Sequence, residues 1–207
     1  MAIYKRDIIQ ILRDENDLLK IRNKQVSNKL ARMQQAFRAL ADIDKKTRLM
    51  NEAPDLQELF HQLLQLVMHT SNTEIGSLIL LDSATNELEF VEVVGETRDA
   101  LMGHRVSIDT GIVGRCIKTE QPILVENVQD SNQWSSSTDE YIGFHTQALM
   151  CVPLFVGEGV VGAIEVVNKS SDAIFDEHDL NILCAAGRLV GLALERAEHL
   201  TMLSENT

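Results

Sequence analysis

From residue 9 the chain repeats in alternating steps of three and four: Ile9, Leu12, Asn16, Leu19, Asn23, Val26, Leu30, Met33, Phe37 and Leu40. Written as a heptad, Ile9, Asn16, Asn23, Leu30 and Phe37 fall at a, and the others fall at d. No Gly or Pro occurs before Pro54, so nothing interrupts a helix here. Such a helix would be ~48 Å long at ~1.5 Å per residue, more than a stripe this narrow supports alone in water. A seam two sevenths wide suits burial between two helices rather than against a globular core. Consecutive asparagines at a favour a parallel, in-register pair, and Glu15 at g lies opposite Lys20 at e of the partner. Residues 9–40 therefore predict a parallel homodimeric coiled coil. Past Leu40 the seam decays, with Asp44 and Thr47 in the next a and d places, leaving a connector from Ile43 to Pro54.

After Pro54 the pattern changes. Leu56, Leu59, Phe60, Leu63, Leu64, Val67 and Met68 form one apolar stripe, so this helix is expected to lie on a core, with Pro54-Asp55 at its start. Residues 76–82 and 87–94 read as strands joined by a short hairpin. A short strand near 104–108, a brief helix over 110–118 and a strand over 122–125 follow, then a polar loop over 130–137 containing Trp134. Residues 148–156 and 160–167 flank Gly157-Glu158-Gly159 as a tight hairpin. A closing helix over 176–203 carries Leu180, Leu183, Val190 and Leu194 on one face, with Ala185, Ala186, Gly187, Gly191 and Ala193 permitting close packing. The order predicts an α+β domain over 51–207: an antiparallel sheet with its two terminal helices on one face and a loop and short-helix pocket on the other. Residues 1–50 form the separate dimerisation helix and connector.

Charge sharpens the division. Residues 1–50 carry 12 Lys and Arg against 6 Asp and Glu, and the remainder carries 7 against 25. A domain that acidic repels phosphate backbones and anionic lipid, so nucleic acid and membrane are not expected partners. No apolar run is long enough to span a bilayer, and the charged first segment is no signal peptide, which points to a cytoplasmic protein. Cys116, Cys151 and Cys184 are too few and too scattered for a disulfide framework or a metal site. No nucleophile triad, phosphate-binding glycine loop or acid/base pair appears, so no catalysis is expected. As read, the chain contains no output domain, and a signal would pass to another, unidentified protein.

Three blocks carry a resemblance over about residues 55–197. They are Gly111-Ile-Val-Gly-Arg-Cys116, Asp139-Glu-Tyr-Ile-Gly-Phe-His-Thr-Gln-Ala-Leu-Met-Cys-Val-Pro153, and Gly162-Ala-Ile-Glu-Val-Val-Asn168-Lys169 followed by Phe175 and Asp179. This stretch resembles a GAF domain, a regulatory module of cyclic-nucleotide phosphodiesterases, adenylyl cyclases and bacterial sensors. The resemblance implies a small-molecule ligand, with a cyclic nucleotide among the candidates. Ile142 and Ala148 depart from the family's polar residues, and Leu180 stands where the signature has an acid. It further implies that Asn168, Lys169, Phe175 and Asp179 brace the last strand against the last helix.

By the family's layout, Ile108, Thr110, Gly111, Ile112 and Val113 floor the pocket and residues from Trp134 to Tyr141 form its lid; Ala148 and Met150 are further candidates to line it. Strand alternation independently sets Glu165 on the pocket face with Val161, Ala163 and Val167, opposite Gly162, Ile164 and Val166. Trp134 offers a surface for stacking a planar ligand or a plug for an unfilled pocket. Thr110 is positioned either to cap the following helix or, with Gly111, to present backbone N–H groups to an anion. Haem through His145 and bilin through Cys116 or Cys151 are disfavoured: loop histidines are usually solvated, and the bilin attachment motif is absent. Free methionine sulfoxide reductases share the fold, yet the turn that holds one of their cysteines here carries Val113. Buried, inert thiols are the expectation. The remaining alternative is a dimerisation scaffold whose pocket binds nothing.

Overall fold

Asp55 opens the first core helix by chemistry local to it: its carboxylate accepts the backbone N–H groups of Gln57 and Glu58 at 3.1 and 3.2 Å. In the computed structural model that helix, α1, spans Leu56–Ser71 and stops at Asn72 in the left-handed conformation. The structure describes residues 13–24, 26–27, 30–31, 34, 38, 41, 45, 55–131, 136–170 and 173–205.

Six strands follow: β1 (Thr73–Asp82), β2 (Glu87–Val94), β3 (Arg105–Ser107), β4 (Ile123–Val125), β5 (Leu149–Val156) and β6 (Gly159–Lys169). Every neighbouring pair is antiparallel, in the order β3-β2-β1-β6-β5-β4. Between them lie the short helices α2 (Arg98–Leu101), α3 (Gly111–Thr119) and α4 (Ser137–Ile142), and α5 (Glu177–Glu205) closes the chain.

The sheet divides two apolar cores. On one face Phe60, Leu63, Leu64 and Val67 of α1 meet Ile182, Leu183, Ala186 and Val190 of α5 over Leu78, Val152, Leu154 and Ile164. On the other, Ile112, Cys116 and Ile117 of α3 pack with Leu101 and Val128 over Ile79, Phe90, Cys151 and Ala163. Each such large apolar side chain contributes roughly 1.5–3 kcal/mol on burial. This is the α+β arrangement expected, with both long helices on one face.

Two departures have local causes. Val161 packs with the helix-side core instead of the pocket side, because the register slips between Leu154 and Phe155 and leaves Val161 as the extra residue of a bulge. The helices α2 and α4, and the short turn Val128–Asp130, fall in stretches to which the sequence assigns no helix; each is too short to show a period. Glu92 sits beneath α1 only 1% exposed, where a second slip between Leu78 and Ile79 turns it inward. There its Oε1 accepts one hydrogen bond from Arg98 and meets His61 Nδ1 at 2.9 Å, tying α1 to α2.

The N-terminal segment is helical from residue 13 where described. Leu19, Val26 and Leu30 of the seam are 53–61% exposed, and Asn16 and Asn23 are exposed too. Lys20 pairs with Asp17 of its own chain at 3.0 Å. The seam positions Ile9, Leu12, Met33, Phe37 and Leu40 lie outside the described residues.

Candidate functional site

Beneath α4, on the face opposite the long helices, is a cavity of about 90 Å³. Its sheet side is Ile75, Ile79, Phe90, Leu149, Glu165 and Val167. Its roof is the start of α3 (Thr110 to Val113), Ser137, Thr138, Asp139 and Ile142 of α4, and Phe144 and Thr146 beyond it. Apolar side chains make up much of the lining, and Thr110, Ser137, Thr138, Asp139, Thr146 and Glu165 supply its polar groups.

Glu165 is the central one. It pairs in register with Cys151 on one side and Ser77 on the other, so neighbouring strands enclose it and its remaining exposed surface faces the cavity. Burial, and then the negative charge of Asp139, push its carboxyl up to about 8. At neutral pH it is largely protonated, able to donate a hydrogen bond as well as accept one. Asp139 is held differently: its two oxygens accept the Thr146 N–H at 2.7 Å and the Thr146 hydroxyl at 2.8 Å.

The α3 entrance explains one of the sequence blocks. At Gly114 a Cβ would stand 2.1 Å from the Ile108 carbonyl oxygen, so only glycine lets α3 descend onto that turn. Gly111 has φ +73. Thr110 occupies the position before the helix but does not cap it; its hydroxyl donates to the Ser107 carbonyl at 3.1 Å.

Of the expected pocket residues, Thr110, Gly111, Ile112, Val113 and Glu165 come together around the cavity. Four do not line it. Met150 and Ala148 pack with the helix-side core, since alternation along β5 turns them away while Leu149 faces in. Tyr141 is 63% exposed and stacks on His104 with ring centroids 4.4 Å apart, fastening α4 from outside. Ile108 packs at the margin of the pocket-side core. Trp134 lies outside the described residues. Sequence reasoning passed over Asp139 and Thr146, although both stand in the quoted second block, and over Ile75, Ile79 and Phe90, whose alternation on β1 and β2 carried the signal.

The brace is compact. Lys169 Nζ donates to Asp179 Oδ2 at 2.6 Å and lies 5.4 Å from the ring centre of the buried Phe175. Asn168, at φ +50, accepts from the Gln147 and Ala148 N–H groups and donates to the His145 carbonyl. The pair Lys169–Asp179 thus fixes the exit of β6 onto α5, and Asn168 fixes the entry to β5. Cys116 and Cys151 are fully buried. Burial, reinforced by the adjacent Cys116 thiol, pushes Cys151 well above its ordinary range, away from a reactive thiolate. Among the described residues no group of three or more His, Cys, Asp or Glu is placed to hold a metal, and no helix is long and apolar enough to cross a membrane.

A model of the GAF domain matches residues 53–195. Among curated proteins, the chain is similar to the dual 3',5'-cyclic-AMP and -GMP phosphodiesterase 11 of Drosophila melanogaster, 24% identical over 77% of this chain and 12% of that protein. It is also similar to the probable 3',5'-cyclic phosphodiesterase pde-5 of Caenorhabditis elegans, 27% identical over 73% of this chain and 20% of the relative. The chain thus spans a fifth or less of those relatives. The GAF domain of an Acinetobacter phosphoenolpyruvate-protein phosphotransferase superposes with a TM-score of 0.65 at 17% identity, over 81% of this chain and 97% of that one. A free methionine-R-sulfoxide reductase from Neisseria meningitidis gives 0.65 at 16% identity, over 81% and 92%. Those likenesses bear on the fold.

Proposed function

The chain belongs to the GAF domain family, and from that premise we propose that it is a non-catalytic sensor that binds a cyclic nucleotide under α4 and relays the event through its helices. The observation that carries the reading is the polar set Glu165, Asp139 and Thr146, which with Thr110, Ser137 and Thr138 lines a partly apolar cavity beneath a short helix. In this reading the edge of the base meets Glu165, and the phosphate lies toward the N–H groups at the start of α3. The phosphodiesterase relatives, named for cyclic nucleotides, support the ligand class.

A cavity of about 90 Å³ is below the ~300–1,000 Å³ of small-molecule sites, so a nucleotide requires α4 to swing outward. The helix is suited to that. None of its residues is buried, and its described ties include the Asp139–Thr146 hydrogen bonds and the Tyr141–His104 stack. The exposed seam of Leu19, Val26 and Leu30 supports a parallel homodimer through residues 9–40. Ligand binding would then act by differential affinity for two arrangements of the paired helices at the 43–54 connector, and the output is read by a partner protein.

Isothermal calorimetry with cyclic AMP and cyclic GMP tests the reading. One nucleotide per chain is expected, with at least tenfold weaker binding for Glu165→Ala. The small cavity also favours a second reading, a dimerisation scaffold that uses no ligand. Absence of heat with both nucleotides, together with loss of dimer in Leu19→Asp/Leu30→Asp, would select it.

A further inference from the structure

Phe155, near the end of β5, is 40% exposed, and Leu192, on the outer side of α5, is 47% exposed. With Pro153, Arg188 and Glu195 they line a groove of about 280 Å³, remote from the cavity beneath α4. The groove has two structural causes. β4 pairs only with Leu149, Met150 and Cys151, so among the described residues the remainder of β5 has β6 on one side and no strand on the other. And α5 lies directly on β5 at Gly191, where a Cβ would stand 2.1 Å from the Phe155 carbonyl oxygen.

The charges around Leu192 indicate what covers it. Arg188, Leu192 and Glu195 are spaced four and three apart, hence on one face of α5. Among the described residues neither Arg188 nor Glu195 takes part in an ion pair or a side-chain hydrogen bond. They stand ~10 Å apart along the helix, with the exposed leucine between them. A positive end, an apolar centre and a negative end form a self-complementary surface when a second helix runs the opposite way. Arg188 of each copy then faces Glu195 of the other, and the two Leu192 side chains meet near the axis. A parallel pair would instead set arginine against arginine and glutamate against glutamate.

We infer that this groove is a contact between two copies of the chain, with their α5 helices antiparallel and Phe155 and Leu192 of each copy packed against the other. Exposed ion pairs contribute little affinity, so the charges chiefly set the orientation while the small apolar centre supplies a weak association. The contact uses residues separate from the N-terminal seam and does not rest on the ligand reading. Its effect is a concentration-dependent doubling above whatever mass that seam sets.

Sedimentation velocity of the full chain, from about 5 to 500 μM, tests this, with circular dichroism to verify that each exposed substitution leaves the fold intact. Arg188→Glu and Glu195→Arg are each expected to weaken the doubling at least tenfold. An equimolar mixture of the two, and the Arg188→Glu/Glu195→Arg double variant, are expected to restore it. Leu192→Asp is expected to abolish it. A wild-type chain that sediments identically to Leu192→Asp at every concentration would overturn the inference. Single charge reversals that leave the doubling unchanged, or a mixture that fails to rescue it, would do the same.

Discussion

Glu165→Gln removes a buried ionisable group while keeping its shape, and its effect has a defined sign. The carboxyl titrates near 4.5 when free and near 8 in the folded domain, because burial and then Asp139 disfavour its anion. Below pH 4.5 it is neutral folded and unfolded alike, and it costs nothing through ionisation. As the pH rises toward 8 the unfolded chain gains the charge and the folded chain does not, so stability is lost across that interval and stays lost above it. A displacement from 4.5 to about 8 corresponds to a ceiling on the order of 5 kcal/mol, at about 1.4 kcal/mol per tenfold in proton affinity. Because the side chain is only partly buried and opens onto the cavity, about half of that is expected. For a domain of this size, 2–3 kcal/mol moves Tm by roughly 5–10 °C. Thermal melts of wild type and Glu165→Gln at pH 5, 7 and 9 should coincide within a degree or two at pH 5. The glutamine variant should be the more stable by several degrees at pH 9. Parallel curves across the whole range would refute the assignment of Glu165 as a buried acid.

Other consequences follow from particular contacts. Asp179→Ala leaves Lys169 without its partner at a site where both side chains are about nine-tenths buried, and should cost about 3 kcal/mol in urea denaturation. Asn168→Gly keeps the positive backbone angle but loses the side chain's hydrogen bonds to Gln147, Ala148 and His145, with an expected loss of about 2 kcal/mol by the same assay. Gly114→Ala drives a methyl into the Ile108 carbonyl and should displace α3; the readout is a fall in Tm together with loss of amide-exchange protection over 111–119. Glu92→Ala removes the buried carboxylate that links Arg98 of α2 to His61 of α1 and, with both partners left partly exposed, should cost about 1–2 kcal/mol, whereas Arg105→Ala, an exposed hub for Asp82, Glu87 and Glu89, should cost less than about 1.

Much of the domain was legible because its long elements are periodic. The α1 stripe and the β5–β6 hairpin declare which side faces which core, and Glu165 stood out as an acid in the midst of an apolar strand. Small residues in the closing helix likewise announced close packing, which Gly187 and Gly191 make against β5. The failures came where pairing register or length overrides period. The β5–β6 bulge reverses Val161, and nothing in the order of side chains signals it. Met150 and Ala148, candidates for the pocket, share a parity opposite to Leu149, and that parity turns them to the helix side. The four residues of α2 and the six of α4 cannot show a helical repeat, so neither is assigned as a helix from the sequence. Asp139 and Thr146 stand seven positions apart and become partners only through the turn at Gly143, φ +66.

The amide hydrogen exchange of residues 137–146 and 163–167, compared with and without saturating cyclic GMP or cyclic AMP, bears most directly on whether the cavity beneath α4 senses a nucleotide. Slower exchange at both segments with one nucleotide, absent in Glu165→Ala, is the expected outcome. Unchanged exchange at both segments with either compound, or protection confined to surfaces away from Glu165, would contradict it.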